Sequence, residues 1–190
     1  EENHPEDREL SSRLYAGGPG LRLRQEWLLG VGGVRVLRAV GIDPGVWHAN
    51  EGHAAFMALE RLRELVVGGT RFEDAVAQVR TTTVFTTHTP VPAGHDIFSE
   101  EMVAACTGPI WEEMGVERGQ VMKLGYHPAK DHGQFHMAVL AIRCAAKVNG
   151  VAKRHGEETR RPEDEKKELP AGLHGFPFVW SDRTWRWREG

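Results

Sequence analysis

The chain has 190 residues, of which 40% are hydrophobic and 27% charged, and its net charge at pH 7 is −3. This balance is typical of a globular protein and argues against a broad basic surface for nucleic acid. No apolar run approaches the roughly 20 residues that cross a bilayer, so we expect no membrane partner. Cys106 and Cys144 lie too far apart to suggest a disulfide framework or a zinc motif, which favours a reducing, cytoplasmic location.

The first predicted elements are a glycine-rich helix and a short strand. After a turn-rich entry over residues 1–20, the apolar face of LRLRQEWLLGVGGVRVLRAVG predicts a helix. Gly30, Gly32 and Gly33 each weaken an ordinary helix by about 1 kcal/mol, so we expect another backbone to approach closely there. The segment GIDPGVWHAN then turns and predicts a strand that ends near Asn50.

Helices and a buried strand alternate through the middle of the chain. The amphipathic segments HAAFMALERLRELVVGG and RFEDAVAQVR predict two helices. The β-branched run RTTTVFTTHT predicts a buried strand, followed by the proline-stiffened loop PVPAGHD. FSEEMVAACTGPIWEEMG predicts a helix capped by Ser99. FHMAVLAIRCAAKVNGV predicts a buried apolar helix that Asn149 and Gly150 close as a left-handed cap.

The sequence at both ends indicates that the chain is a piece of a longer polypeptide. The first residue is Glu rather than Met. From EETRRPEDEKKE onward the sequence is charged and predicts an irregular tail. Its last stretch, GFPFVWSDRTWRWREG, carries tryptophans without a helical or strand period and would bury poorly by itself.

The alternation of strands and helices predicts an α/β, Rossmann-like domain with a mainly parallel sheet. Ligands of such sheets bind beyond the carboxyl ends of the strands, where two polar clusters are expected. The first, HANEGH, contains Asn50, Glu51 and His53, and the second, TTHTP, contains His88 and Thr89. Amide and carboxylate groups bind hydroxyls, and a fixed imidazole can also carry a proton.

Each cluster also has a structural interpretation. Asn50 would cap the next helix while His53 packs, and His88 would be a core histidine bonded to a neighbouring carbonyl. A metal-dependent hydrolase is a different functional class, although the spacing matches no established zinc motif. Its ligands would come from His48, Glu51, His53, His88, His95 and Asp96.

Four segments taken together resemble the α-glucan (glycogen, starch and maltodextrin) phosphorylases: RLYAGGPGLRLRQEWLLGVGGVRVLRAVGI, HANEGHAAFMALERLREL, VFTTHTPVPAGHD and FHMAVLAIRCAAKVNGVAKRHGE. They run from about Ser11 to about Glu157, and the NEGH and TPVPAGH forms resemble the bacterial and archaeal branch. The resemblance implies a two-domain GT-B-type glycosyltransferase fold. Residues 1–150 would be the later part of its N-terminal domain. Residues 151–190 would cross into the C-terminal domain as a diverged or truncated tail.

The resemblance implies phosphorolysis with pyridoxal 5′-phosphate as the cofactor. Inorganic phosphate would release terminal α-1,4-glucosyl units of maltodextrin as glucose 1-phosphate, in an enzyme that can be a homo-oligomer. His88 would be the catalytic contact to the 6-hydroxyl of the terminal glucose. Its carbonyl would lie near the developing oxocarbenium ion, with Thr89 alongside, and Asn149 would be the second contact to the hydroxyl. The substrate-binding set is completed by Asn50, Glu51 and His53.

The chain departs from the family pattern in two places. Gly17-Gly18-Pro19 stands where the family has an acidic contact, and the residues that hold the cofactor and phosphate belong to a later segment that the chain lacks. We therefore predict no cofactor-binding residue and no metal ligand in this chain, and expect it to be catalytically inert by itself. A degenerate, non-catalytic sugar-binding remnant is the alternative function.

Overall fold

The computed structural model describes residues 3–13, 17–88, 96–127 and 133–150 with their side chains, and residues 178–181 and 184–187 as backbone. The helices in these ranges are α1 (Pro5–Arg8), α2 (Pro19–Trp27), α3 (Gly33–Ala39), α4 (Phe56–Val67), α5 (Phe72–Thr81), α6 (Glu100–Met114), α7 (Arg118–Lys123) and α8 (Met137–Arg143). The strands are β1 (Trp47–Asn50), β2 (Thr83–Thr87), β3 (Ile97–Ser99), β4 (Gln134–His136), β5 (Lys147–Gly150), β6 (Phe178–Ser181) and β7 (Thr184–Trp187).

A parallel sheet organises the chain. Strands β1 and β2 are parallel neighbours, and β5 pairs in parallel with the other side of β2. Strands β7 and β6 extend the sheet beyond β5 in the antiparallel sense, which gives the order β1-β2-β5-β7-β6. The predicted α/β architecture with a parallel sheet is confirmed for β1, β2 and β5, and this arrangement is compatible with a Rossmann-like fold.

The helices pack on one face of the parallel sheet. Ala49, Phe85 and Val148 are buried on that face, whereas the alternate β1 residues His48 and Asn50 are exposed. Helix α4 is central and contacts α3, α5, α6 and α8. Its first two turns are buried on all sides, and they include the charged residues Glu60 and Arg61 as well as apolar ones. The opposite face of the sheet therefore carries the polar side chains.

The glycine-rich helix runs through a π turn, Leu28–Gly32, between α2 and α3. A Cβ atom on Gly30 would lie 2.6 Å from the backbone nitrogen of Met57, so a side chain there would collide with the start of α4. The expected close approach is thus confirmed at Gly30. It is wrong for Gly33, where no described atom lies within 4 Å of the Cβ position.

The predicted Ser99 cap is confirmed, and a glycine pair ends α4. The Ser99 hydroxyl accepts a hydrogen bond from the backbone nitrogen of Met102 over 3.3 Å and caps α6. Gly68 ends α4, and Gly69 follows in the left-handed region with φ of 97°. These ends are local features, because a cap or a left-handed glycine involves only residues a few positions apart.

The prediction of one long helix over FHMAVLAIRCAAKVNGV is wrong. Its first residues belong to β4, which pairs with β3, and α8 covers only Met137–Arg143. Lys147–Gly150 is strand β5, so Asn149 is a strand residue and Gly150 is not a left-handed cap. The periodicity of a short apolar run does not distinguish a buried helix from a buried strand. Here the pairing of β5 with β2 shows that the last part of the run is a strand.

The prediction of an irregular tail is also wrong for its last part. The backbone of Phe178–Ser181 pairs antiparallel with that of Thr184–Trp187, and Val148 of β5 pairs with Trp185. The charged segment from residue 151 to residue 177 lies outside the described residues.

In the part of the chain that is described, no helix is long and apolar enough to cross a membrane.

Candidate functional site at the carboxyl edge of the sheet

The carboxyl ends of β1, β2 and β5 bring the two predicted polar clusters together. The strand register places Asn50, Thr86 and Asn149 side by side on three neighbouring strands. Because neighbouring strands are about 4.8 Å apart, the two asparagine backbones lie roughly 10 Å apart across Thr86. Asn149 reaches this edge because β5 is a strand.

Residues at the end of β1 hold His88 at two points. The backbone N–H of His88 donates to the Glu51 carboxylate, and its ring atom Nε2 lies 2.6 Å from Asn50 Oδ1. An amide oxygen only accepts hydrogen bonds, so Nε2 carries the proton and donates. The other ring nitrogen, Nδ1, is then the atom that can accept a hydrogen bond from a hydroxyl group. His88 is exposed, which excludes its interpretation as a core histidine.

The same contacts test the structural interpretation of Asn50. Its side chain bonds to His88, and it is a residue of β1 rather than the cap of a helix. The helix-cap interpretation of Asn50 is therefore wrong. Asn50 orients a ring that belongs to the neighbouring strand.

A second group of hydrogen bonds crosses the sheet from β1 to β5. His48 Nε2 lies 2.7 Å from Thr86 Oγ1, and the Thr86 hydroxyl donates to Asn149 Oδ1 over 2.8 Å. The bond occupies the amide oxygen of Asn149, so its N–H groups are what it offers to a ligand. His48 and Thr86 belong to the two polar clusters of the sequence, but neither was among the predicted sugar-binding residues. The two-residue period of β2, which puts Thr86 on the same face as His88, was the signal for Thr86.

The backbone of Glu51 is strained. Within the described ranges it is the one non-glycine residue with positive φ, at φ 69° and ψ 168°. This region is populated almost entirely by glycine and costs about 1–3 kcal/mol for other residues. The Glu51 backbone nitrogen donates to Thr86 O over 2.8 Å, and its carboxylate accepts from His88. Strain that neighbouring bonds maintain in this way is typical of functional sites.

His53 lies in the 3-10 turn Gly52–Ala54, near Arg22 of α2 and Asp96, the residue before β3. Arg22 Nε lies 2.8 Å from Glu26 Oε1, and Arg22 Nη2 lies 3.0 Å from Asp96 Oδ2. Burial lowers the pKa of His53, and the positive charge of Arg22 lowers it further. Burial raises the pKa of Glu26 to about 9, and its hydrogen bond with Asp96 contributes in the same direction. Glu26 is therefore uncharged at neutral pH, and burial favours the neutral form of His53.

The predicted site residues differ in where the structure places them. Four of them meet at the carboxyl edge, namely Asn50, Glu51, His88 and Asn149. His53 follows in the adjoining turn, whereas Thr89 and His95 lie outside the described residues. Across the described ranges, no group of three or more His, Cys, Asp or Glu side chains is arranged to hold a metal ion.

Comparison with known proteins identifies the relatives of this chain. It is 42% identical over 159 residues to the maltodextrin phosphorylase of Thermococcus litoralis, an alignment that covers 84% of this chain and 18% of that protein. It is 41% identical over 171 aligned residues to the glycogen phosphorylase of Mycobacterium tuberculosis, covering 84% of this chain and 20% of that protein. The chain is homologous to one segment of the α-glucan phosphorylases.

A third phosphorylase extends the similarity to another organism. The glycogen phosphorylase of Aquifex aeolicus is 36% identical over 157 residues, which cover 83% of this chain and 23% of that protein. The phosphorylase resemblance of the four sequence segments is thereby confirmed. The chain spans about a fifth of the length of the curated phosphorylases it matches. No protein-family model matches it.

Proposed function

We propose that this chain forms part of the sugar-binding edge of an α-glucan phosphorylase. In the whole enzyme, inorganic phosphate would cleave terminal α-1,4-glucosyl units of maltodextrin or glycogen and release glucose 1-phosphate. The observation that carries the proposal is the meeting of Asn50, Glu51, His88 and Asn149 at one strand edge of a phosphorylase-like segment. Neutral sugar hydroxyls are bound by amide, imidazole and carboxylate groups of this kind, held on rigid elements.

His88 and Asn149 are chemically complementary to a single hydroxyl group. A hydroxyl donates one hydrogen bond and accepts others, His88 Nδ1 can accept, and the Asn149 amide can donate. In the reaction, the bond from C1 to the glycosidic oxygen breaks, and that oxygen gains the proton that the attacking inorganic phosphate gives up. A new bond forms between C1 and a phosphate oxygen. The His88 carbonyl, with Thr89 beside it, would stabilise the positive charge that develops on the sugar.

The pyridoxal 5′-phosphate that the resemblance implies does not fit the described residues. This cofactor binds to enzymes through a Schiff base with a lysine. In the ranges described, the lysines are Lys123, at the end of α7, and Lys147, at the amino end of β5. Neither lies with Asn50 and His88 at the carboxyl edge, so no step of the reaction is assigned to the cofactor here. The whole enzyme would hold it with other residues.

The finer fold assignment is part of the same proposal. Residues 1–150 would be the later part of the N-terminal domain of a GT-B-type enzyme, and residues 151–190 would lead into its C-terminal domain. The parallel strands β1, β2 and β5, with polar groups at their carboxyl edge, support this placement. The enzyme would act in the cytoplasm, as a monomer or a homo-oligomer, without nucleic-acid or membrane partners.

The proposal is tested by titrating the chain with maltoheptaose and following the backbone amide signals by NMR. We expect weak binding that shifts signals at the ends of β1, β2 and β5. His88→Ala and Asn149→Ala should each weaken binding about tenfold, because each removes a hydrogen bond to the sugar. His4→Ala, at the exposed residue that precedes α1, is the matched control and should bind normally. Unchanged binding in both site variants would contradict the proposal.

A further inference from the structure

The side chain of Asn149 can present either of its two ends to a ligand. The oxygen and nitrogen ends of an amide have nearly the same shape, and a half-turn about χ2 exchanges an acceptor for two donors. Packing alone therefore does not decide which end faces outward. In this chain a directional hydrogen bond decides, because the Thr86 hydroxyl donates to Asn149 Oδ1.

The direction of that bond is linked to the tautomer of His48. The Thr86 hydroxyl has one hydrogen, which goes to Asn149, so its oxygen accepts from His48 Nε2 across 2.7 Å. If the Asn149 amide were reversed while His48 Nε2 still donated, the buried Thr86 hydrogen would lose its acceptor in this group, which is unfavourable. That hydrogen could stay bonded within the group only if it pointed towards an unprotonated His48 Nε2. The protonated nitrogen of His48 and the outward end of Asn149 are thus coupled.

We infer that His48 and Thr86 are positioning residues that turn the two N–H donors of Asn149 towards the sugar. The inference rests on the proposed function, since it specifies how one group of the same site recognises a sugar hydroxyl. In this arrangement the Asn149 amide donates to the oxygen of the sugar hydroxyl. The hydroxyl hydrogen is then donated to an acceptor such as His88 Nδ1.

Thr86 is well placed to transmit this orientation. It is 6% exposed and lies on the middle strand of the three parallel strands, with register partners on both sides. Its carbonyl also accepts from the Glu51 backbone nitrogen, so one residue anchors parts of the site on both β1 and β5. A buried hydroxyl without partners is unfavourable, so the two-bond arrangement at Oγ1 is retained.

The hydrogen-bond direction is tested without any ligand. A two-bond nitrogen–proton NMR spectrum of the histidine rings, recorded at alkaline pH, reports which ring nitrogen of His48 carries the proton. We expect His48 to be protonated at Nε2 and the Asn149 amide protons to lack a hydrogen bond to Thr86. A His48 ring protonated at Nδ1 alone would overturn the inference, whatever the chain binds.

The consequence for binding is tested with maltoheptaose and variants of two threonines on the same strand. Thr86→Val removes the hydroxyl at nearly constant shape and should weaken binding fivefold to tenfold, about the strength of one hydrogen bond. Thr86→Ser keeps the hydroxyl and should restore binding. Thr83→Val is the matched control, because Thr83 is equally buried in β2 but bonds to Arg61 and Val79 at the other edge. Equal losses in Thr86→Val and Thr83→Val would contradict the inference.

A double-mutant cycle separates positioning from a general structural effect. If Thr86 acts through Asn149, Thr86→Val should add no further loss of binding to Asn149→Ala, whereas independent effects would add. His48→Ala changes an exposed residue and provides a second variant if Thr86→Val does not fold; we expect a twofold to threefold loss. Additive losses would overturn the inference. Failure of the unmodified chain to bind maltoheptaose would instead contradict the proposed function. The histidine ring spectrum does not depend on binding, so it would still test the inference.

Discussion

The two edges of the parallel sheet use polar side chains in opposite ways. At the amino edge, the buried Arg61 guanidinium donates to the hydroxyl groups of Thr82 and Thr83. It also lies 4.9 Å from the centre of the Trp47 ring. Burial lowers the pKa of Arg61 to about 10, but the group still carries a charge at neutral pH. Both hydrogen bonds of the Arg61 guanidinium are made to other residues of the same chain.

At the carboxyl edge, the polar groups orient one another and remain exposed. Asn50 and His88 are both exposed and bonded to each other, and Glu51 is held in a strained conformation beside them. Groups at the amino edge therefore contribute to stability, whereas our proposal assigns those at the carboxyl edge to ligand binding at some cost in stability. The comparison predicts that variants at the two edges will separate loss of folding from loss of binding.

The largest effect on stability is expected at the amino edge. Arg61→Ala should lower the free energy of unfolding by about 3 kcal/mol, because it removes two hydrogen bonds and the packing against Trp47. Arg38→Ala is the control, since Arg38 also lies over Trp47 but pairs with Glu64 at the surface and should cost less than about 1 kcal/mol. Urea unfolding followed by circular dichroism measures both, and equal losses would contradict the comparison.

A separate effect, measured as a change with pH and not as a loss of stability at one pH, involves Glu26. The pKa of this carboxyl is about 9 in the folded chain, against 4.5 as its ordinary value, so between these values the folded state binds more protons than the unfolded state. Its contribution to stability is complete below pH 4.5 and is lost as the pH rises towards 9, by at most about 1.4 kcal/mol per pH unit. Melting temperatures at pH 5, 7 and 9 should therefore fall less in Glu26→Gln than in the unmodified chain. Glu6→Gln, at an exposed position on α1, should follow the unmodified chain.

A smaller effect isolates the strain at Glu51. Glu51→Gly and Glu51→Ala both remove the carboxylate, but only glycine accommodates φ 69° and ψ 168° without strain. Glu51→Gly should therefore be more stable than Glu51→Ala by about 1–2 kcal/mol, while both bind maltoheptaose more weakly than the unmodified chain. Chemical denaturation gives the stability difference. A more stable Glu51→Ala would show that the backbone at this position is not strained.

The smallest effect on stability is expected for Asn50. Asn50→Ala releases the ring of His88 but changes an exposed residue, so it should lower the free energy of unfolding by less than about 1 kcal/mol. Binding of maltoheptaose should fall about tenfold, because His88 loses its orientation. Asn50→Asp keeps an oxygen that accepts from His88 and should bind more tightly than Asn50→Ala. A loss of stability without a loss of binding would show that Asn50, like the residues of the amino edge, contributes to stability and not to binding.

Much of the site could be predicted from the sequence because its residues lie just after predicted strands. Asn50, Glu51 and His88 were found in this way, and β1 and β2 do bring them together. Asn149 was included through the family resemblance, but its predicted position at the end of a helix was wrong. The roles of His48 and Thr86 required knowledge of which strands are neighbours, which no local pattern contains.

The local features of this protein follow from its amino-acid pattern: the helix α4, the Ser99 cap, and the polar clusters at the ends of β1 and β2. These depend on periodicity and on hydrogen bonds between residues close in the chain. Long-range pairing makes KVNG a strand and lets Asn149 accept a hydrogen bond from Thr86, 63 positions away. Pairing between distant strands depends on how the helices pack on the sheet, and a short segment cannot encode that alone.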